Sequence, residues 1–339
     1  MQIQTVIAIV SLLGAAGIAA AQTSSRLSNL RQLTFGGQNA EAYWSPDGRR
    51  LIFQSTRDQY RCDQIFTMNA DGSDVRLVST GKGRTTCGYF LAGGKHILYA
   101  STHEGGEACP PPADRSKGYV WPLYPSYDIY LATGDGKIVR KLTDAPGYDA
   151  EAVVNFKTRK IVYTSLATGD PELWTMNSDG SGQRQITSAP GYDGGAVFSR
   201  DGRKLVWRAS RFAKPEDLAQ YRQLLAKNVV SPMQVEIFVA GADGKNVKQL
   251  TAFGCASFAP TFTPDGKRIV FASNKHACGS RNFELYIMNL DGSALEQITS
   301  FGGFASFPEF SPDGKKLAFA TDWKATGRYE FNIFTADWK

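Results

Sequence analysis

Short runs in which apolar and polar residues alternate recur along this chain, each closed by Asp-Gly or a near equivalent. Alternation of period two marks a half-buried strand. Asp-Gly between two such runs marks a hairpin, because glycine accepts positive φ. One unit reads Trp44-Ser45-Pro46-Asp47-Gly48-Arg49-Arg50-Leu51-Ile52-Phe53. It returns at 198–207, 262–271 and 310–319. Degenerate copies lie at 89–99, where Gly93-Gly94 replaces Asp-Gly, and at 154–163, where Lys157-Thr158 does. A second unit follows each: an alternating strand, a turn such as Asp71-Gly72 or Asp291-Gly292, and a short strand ending near Leu-Thr, as at Leu142-Thr143 and Leu250-Thr251.

Two hairpins per repeat make four strands, A to D, and a four-stranded sheet repeated radially is a propeller blade. Six copies predict an all-β, six-bladed propeller of antiparallel blades. The last repeat stops after a C-type strand. The segment Leu30-Arg31-Gln32-Leu33-Thr34 is an orphan D strand, expected to complete the last blade and close the ring. With about 53 residues per repeat against ~40–45 in compact blades, loops must be inserted. They fall between strands B and C at 103–126 and 211–234. The second carries a helix signature: Pro215 at its start, Glu216 and Asp217 in the first turn, then a Leu218, Tyr221, Leu224, Leu225 stripe.

The Ser-Pro-Asp-Gly-Lys-Lys-Leu-Ala-Phe unit at 311–319 resembles the WD40-like (PD40) repeat of the TolB propeller superfamily. The resemblance covers nearly all of residues 22–339. It implies the six-bladed fold and, since TolB is a periplasmic partner of a peptidoglycan-associated lipoprotein, a protein-binding role. TolB has an α/β domain ahead of its propeller, and the stretch between Gln22 and Leu30 leaves no room for one. Function does not follow from the fold alone, because propellers host unrelated chemistries.

Composition narrows the compartment. Residues 1–21 contain no charged side chain, and an apolar run of about 16 residues, short for a membrane span, ends in Ala19-Ala20-Ala21. This predicts a signal peptide cleaved after Ala21 and a periplasmic or secreted monomer with no later transmembrane segment. The net charge of +6 gathers beside A–B turns (Arg49, Arg50, Arg203, Lys204, Lys315 and Lys316 among others) and reads as a solvated face. Nucleic acid is not an expected partner.

The opposite, top face holds the candidate chemistry. Gly147-Tyr148-Asp149 and Gly191-Tyr192-Asp193 repeat at equivalent D–A loops, at the channel mouth. Glu41 and Glu151 match each other two residues further on. Arg57, His103, Arg211 and His276 face them from the ends of B strands. The tripeptide reads either as turn chemistry or as a polar rim gripping a ligand or peptide terminus. No acidic loop has the spacing of a Ca²⁺ site, and two histidines without a third ligand make a poor zinc signal. No cofactor is therefore expected, with Ca²⁺ the alternative.

Five cysteines, Cys62, Cys87, Cys109, Cys255 and Cys278, are assigned to top-face loops. Cys255 pairs with Cys278 in one blade. Cys87 matches Cys109 in spacing and location, with Cys62 competing for Cys87, and an odd number leaves one thiol free. These readings point to a module that binds an envelope protein or peptide at the top mouth. The alternatives are a glycan ligand, or a hydrolase or lyase acting on a carbohydrate or lactone through top-face carboxylates.

Overall fold

The computed structural model describes residues 22–116 and 118–339; the expected signal segment 1–21 lies outside the described residues. Six four-stranded antiparallel sheets form the ring. The A strands are Gln38–Trp44, Thr85–Phe90, Asp149–Val154, Asp193–Phe198, Ser257–Phe262 and Ala305–Phe310 for blades 1 to 6. The sixth blade takes its outer strand, Leu27–Gln32, from the start of the described chain, paired with Asn332–Trp338. That strand begins earlier than the expected Leu30–Thr34 segment.

The aromatic residues account for the packing. In every blade the fourth residue of strand B is a large ring, and it stands opposite another on strand C: Phe53–Phe66, Tyr99–Tyr130, Tyr163–Trp174, Trp207–Phe238, Phe271–Tyr286 and Phe319–Phe334. Facing aromatic pairs stabilise a sheet beyond their buried area. The B-strand members are essentially buried.

The Leu-Thr endings also have one repeated role. The hydroxyl that follows strand D accepts the backbone N–H of the second C-strand residue in all six blades: Ser79 from Ile65, Thr143 from Ile129, Thr187 from Leu173, Thr251 from Ile237, Thr299 from Leu285 and Thr34 from Ile333. It also donates to the side chain that opens strand C, as Thr299 does to Glu284 at 2.6 Å and Thr34 to Asn332 at 3.2 Å. In blade 6 this latch joins the two ends of the chain.

The blade 4 insertion forms a helix, Pro215–Leu225, with Tyr221 turned inward to donate a hydrogen bond to Asp170. After it, Val229–Val230 pairs with Trp121–Pro122 from the blade 2 insertion. The two insertions so make a strap over blade 3. No helix among the described residues is long and apolar enough to cross a membrane.

Thr34→Val keeps the shape of the ring-closing latch and removes its hydroxyl, leaving the buried Ile333 N–H without that acceptor. Urea unfolding is expected to show a loss of about 1–3 kcal/mol. A loss below about 0.5 kcal/mol, the size of an ordinary surface substitution, would mean the latch does not hold the ring.

Candidate functional site

Each A strand carries a β-bulge at the same place, where its register with strand B shifts. The bulged residues are Glu41, Cys87, Glu151, Gly195, Ala259 and Phe307, and all six have left-handed φ between +49° and +59°. Five of them are not glycine, so five L-residues are held in a region that costs side-chain-bearing residues energy. All six line one cavity of about 240 Å³ in the central channel. Two residues further on, Tyr43, Val153, Val197 and Glu309 line it as well. Trp121, Leu123 and Tyr124 from the blade 2 insertion, and Tyr127 just after it, also line the cavity.

The charges in this cavity are partly spent. Glu151 is held by the Arg208 guanidinium, accepts the Tyr192 hydroxyl at 2.9 Å and Thr164 at 2.7 Å, and accepts the Gly195 N–H at 2.8 Å. Arg208 also lies under the Trp121 ring, 4.8 Å from its centre. Asp63 accepts from Arg84 at 2.6 Å and from Thr56 at 2.6 Å. Among the described residues Glu41 has only the Cys87 thiol as a hydrogen-bond donor, at 3.0 Å. Glu309 accepts from Thr261 at 3.2 Å. Burial pushes both carboxyls up to about 7, against weaker pulls from Cys87 on Glu41 and from Thr261 and Tyr89 on Glu309. Burial likewise drives the Cys87 thiol well above its usual range, helped by the neighbouring Glu41.

Of the residues expected at the mouth, the structure brings Glu41, Tyr148, Glu151 and Tyr192 into the cavity. Asp149 and Asp193 open their strands but turn into the blades. They occupy the place held by Thr85, Ser257 and Ala305 elsewhere, opposite the last residue of strand B. Burial raises both to about 6. Asp193 is tied to Arg211 at 2.8 Å and to the Trp207 indole N–H at 2.6 Å. The basic groups at the B-strand ends stand over the C-strand rings: Arg57 over Phe66, His103 against Tyr130, Arg211 over Phe238 and His276 beside Tyr286. They cap the aromatic ladder rather than line the cavity.

The cysteines need two corrections. Cys62 pairs with Cys109, and Cys87 is the free thiol. Cys87 sits on an innermost strand rather than a loop, and the bulge directs its sulfur to Glu41, away from the insertion. Cys109 instead ties the insertion to blade 1. Cys255 and Cys278 are joined as expected. Glu309, Arg208, Arg84 and Asp63 escaped the sequence reading. Aligning the six A strands residue by residue, the step that matched Glu41 with Glu151, also reaches Cys87 and points to Glu309. Among the described residues no three His, Cys, Asp or Glu side chains gather as a metal centre.

A six-bladed propeller with a bulge-lined channel defines the class. Residues 218–332 match the family described as PD40, TolB beta propeller domain. A protein assigned as TolB from Agrobacterium tumefaciens superposes with a TM-score of 0.60 at 18% identity, covering 89% of this chain and 91% of its own. TolB from Acinetobacter baumannii gives 0.57 at 18% identity over 89% of this chain; the match spans 64% of that protein. An oligogalacturonate lyase in complex with manganese gives 0.53 at 14% identity, over 94% and 95% of the two chains. No curated protein matches the sequence. The described chain is a six-bladed β-propeller whose residues 218–332 match the TolB propeller family, and at these identities its likeness to the solved structures is one of fold.

Two measurements follow from the buried groups. A carboxyl at about 7 in the fold and near 4.5 when unfolded binds more protons folded than unfolded between those values. Its stabilisation is full below about 4.5 and is lost as pH rises through 7. Glu41→Gln and Glu309→Gln should each become more stable relative to wild type between pH 5 and pH 8, by about 1–3 kcal/mol. Parallel pH profiles would refute the burial. Iodoacetamide at pH 8 should label one thiol in the unfolded, unreduced protein, at Cys87, and leave the folded protein largely unlabelled. Fast labelling of the native chain would place that sulfur elsewhere.

Proposed function

We propose that this chain is an exported protein- or peptide-binding module of the cell envelope, whose ligand enters the top mouth of the channel. The observation that carries the reading is the cavity itself. It is walled by rings from several blades and by the strap, and two of its four carboxylates are already committed to arginines. Aromatic walls with a few placed polar groups suit capture of a side chain or chain end. Two disulfides support an oxidising compartment. The TolB proteins share this fold.

One observation favours the enzyme alternative. Burial pushes Glu41 and Glu309 up to about 7 in the same cavity, the range that suits acid–base work on a carbohydrate or lactone at neutral pH. Channel filling separates the readings. Ala259→Phe places in blade 5 the residue that blade 6 already carries at the same bulge, Phe307. Wild type and the variant, both checked for folding by circular dichroism, would be offered envelope extract, and bound material identified by mass spectrometry. A protein or peptide retained at least tenfold better by wild type supports the binding module. A shortened glycan moves the assignment to the enzyme, and equal retention by both removes the channel as the site.

A further inference from the structure

We propose that the channel cavity recognises a protonated primary amine of a peptide ligand, either its amino terminus or a lysine side chain. This rests on the binding-module reading above and names the chemical group that the same cavity takes.

The argument begins with charge. Four carboxylates line the cavity: Glu41, Asp63, Glu151 and Glu309. Two guanidinium groups line it, and each is engaged, Arg84 with Asp63 and Arg208 with Glu151. Glu41 and Glu309 have no ion-pair partner among the described residues. Glu41 faces the Cys87 thiol, with Glu151, Arg208 and Asp63 further off; Glu309 faces Thr261 and Tyr89. When both ionise, the cavity carries a net negative charge with no cation to hold it. An arriving ammonium supplies that cation, whereas an anionic ligand meets repulsion.

The walls suit the same group. Tyr43 lines the cavity, its ring centre 4.9 Å from that of Tyr89, and Tyr148, Tyr192 and Trp121 line it as well. Ring faces attract cations, and more strongly where water is excluded. The volume, about 240 Å³, is below the ~300–1,000 Å³ of pockets that enclose drug-sized ligands, so it holds one side chain or one chain end. Carboxyl oxygens without a counter-ion and ring faces together describe an amine-bearing peptide end better than a neutral sugar, which offers no positive charge.

The test uses the full chain, immobilised, and three pools of random octapeptides at pH 7.5. One has free amino termini and no lysine, one is amino-acetylated with lysine, and a control is amino-acetylated without lysine. At least one amine-bearing pool should be retained tenfold or more above the control, and the pool retained identifies which amine enters. Retention should fall at least tenfold at pH 5.5 and in the Glu41→Gln, Glu309→Gln double variant. Calorimetry on wild type in two buffers of different ionisation heat should show net proton release when a retained peptide binds at pH 7, which reads the same carboxyls without mutation. Equal retention of all three pools, no proton release, or an unaffected double variant overturns the amine assignment while the peptide-binding reading stands. Retention of no pool removes both.

Discussion

Closure of the ring is the constraint on which everything else in this molecule rests. Six blades can surround a channel only if the last is completed, and the strand that completes it comes from the other end of the chain. The closing pair is held as the other blades hold themselves, by a hydroxyl that accepts one backbone N–H and donates to the side chain opening strand C. Arg26 adds an ion pair to Glu296, and Gln22–Thr23 pairs with Thr299–Ser300, so the segment before the closing strand is also clipped to blade 5. Once the ring is shut, the A strands have no freedom to splay, and the channel becomes a rigid wall.

That wall has an unusual surface because of the bulges. One extra residue per A strand breaks the simple alternation of sides, so residues two positions apart, such as Asp149 and Glu151, have different fates. The first is buried inside the blade and the second projects into the channel. The strain of left-handed backbone at five side-chain-bearing positions is the cost of assembling carboxyl, thiol and aromatic groups within one small cavity. The surrounding blades hold it in place, with Gly195, the one glycine of the six, directly beside the Arg208 guanidinium, where a side chain would not fit.

The fold was legible because its signals are local and repeated. Asp-Gly turns, two hairpins per unit, the orphan Leu-Thr strand and the Pro215 helix start are each read from a few neighbouring residues, and each appears in the structure. The site was half legible. Glu41 and Glu151 were visible as equivalent positions in two repeats, and Tyr148 and Tyr192 as a repeated tripeptide. The bulge hid the rest, since its register shift depends on pairing with strand B rather than on any residue type. Without it, Asp149 and Asp193 look like channel residues and Cys87 like a loop cysteine. The basic groups after strand B misled for a related reason: spacing placed them at the top face, while ring stacking on Phe66, Tyr130 and Phe238 is a contact between strands that no spacing reveals.

The distance along the chain between the sealing residues sets an order of events. Leu27 pairs with Trp338, and Ser28 with Asp337, so a strand made early finds its partner only in the last strand of the described chain. Until the final strand is available, residues 27–32 have no native neighbour, and blade 6 presents an open edge of the sort that recruits other chains. Contacts of such long range are slow to form and keep a folding chain exposed meanwhile. A ribosome-bound chain of this design would wait through its whole synthesis with an unpaired edge. A chain released complete, with both ends present at once, would not.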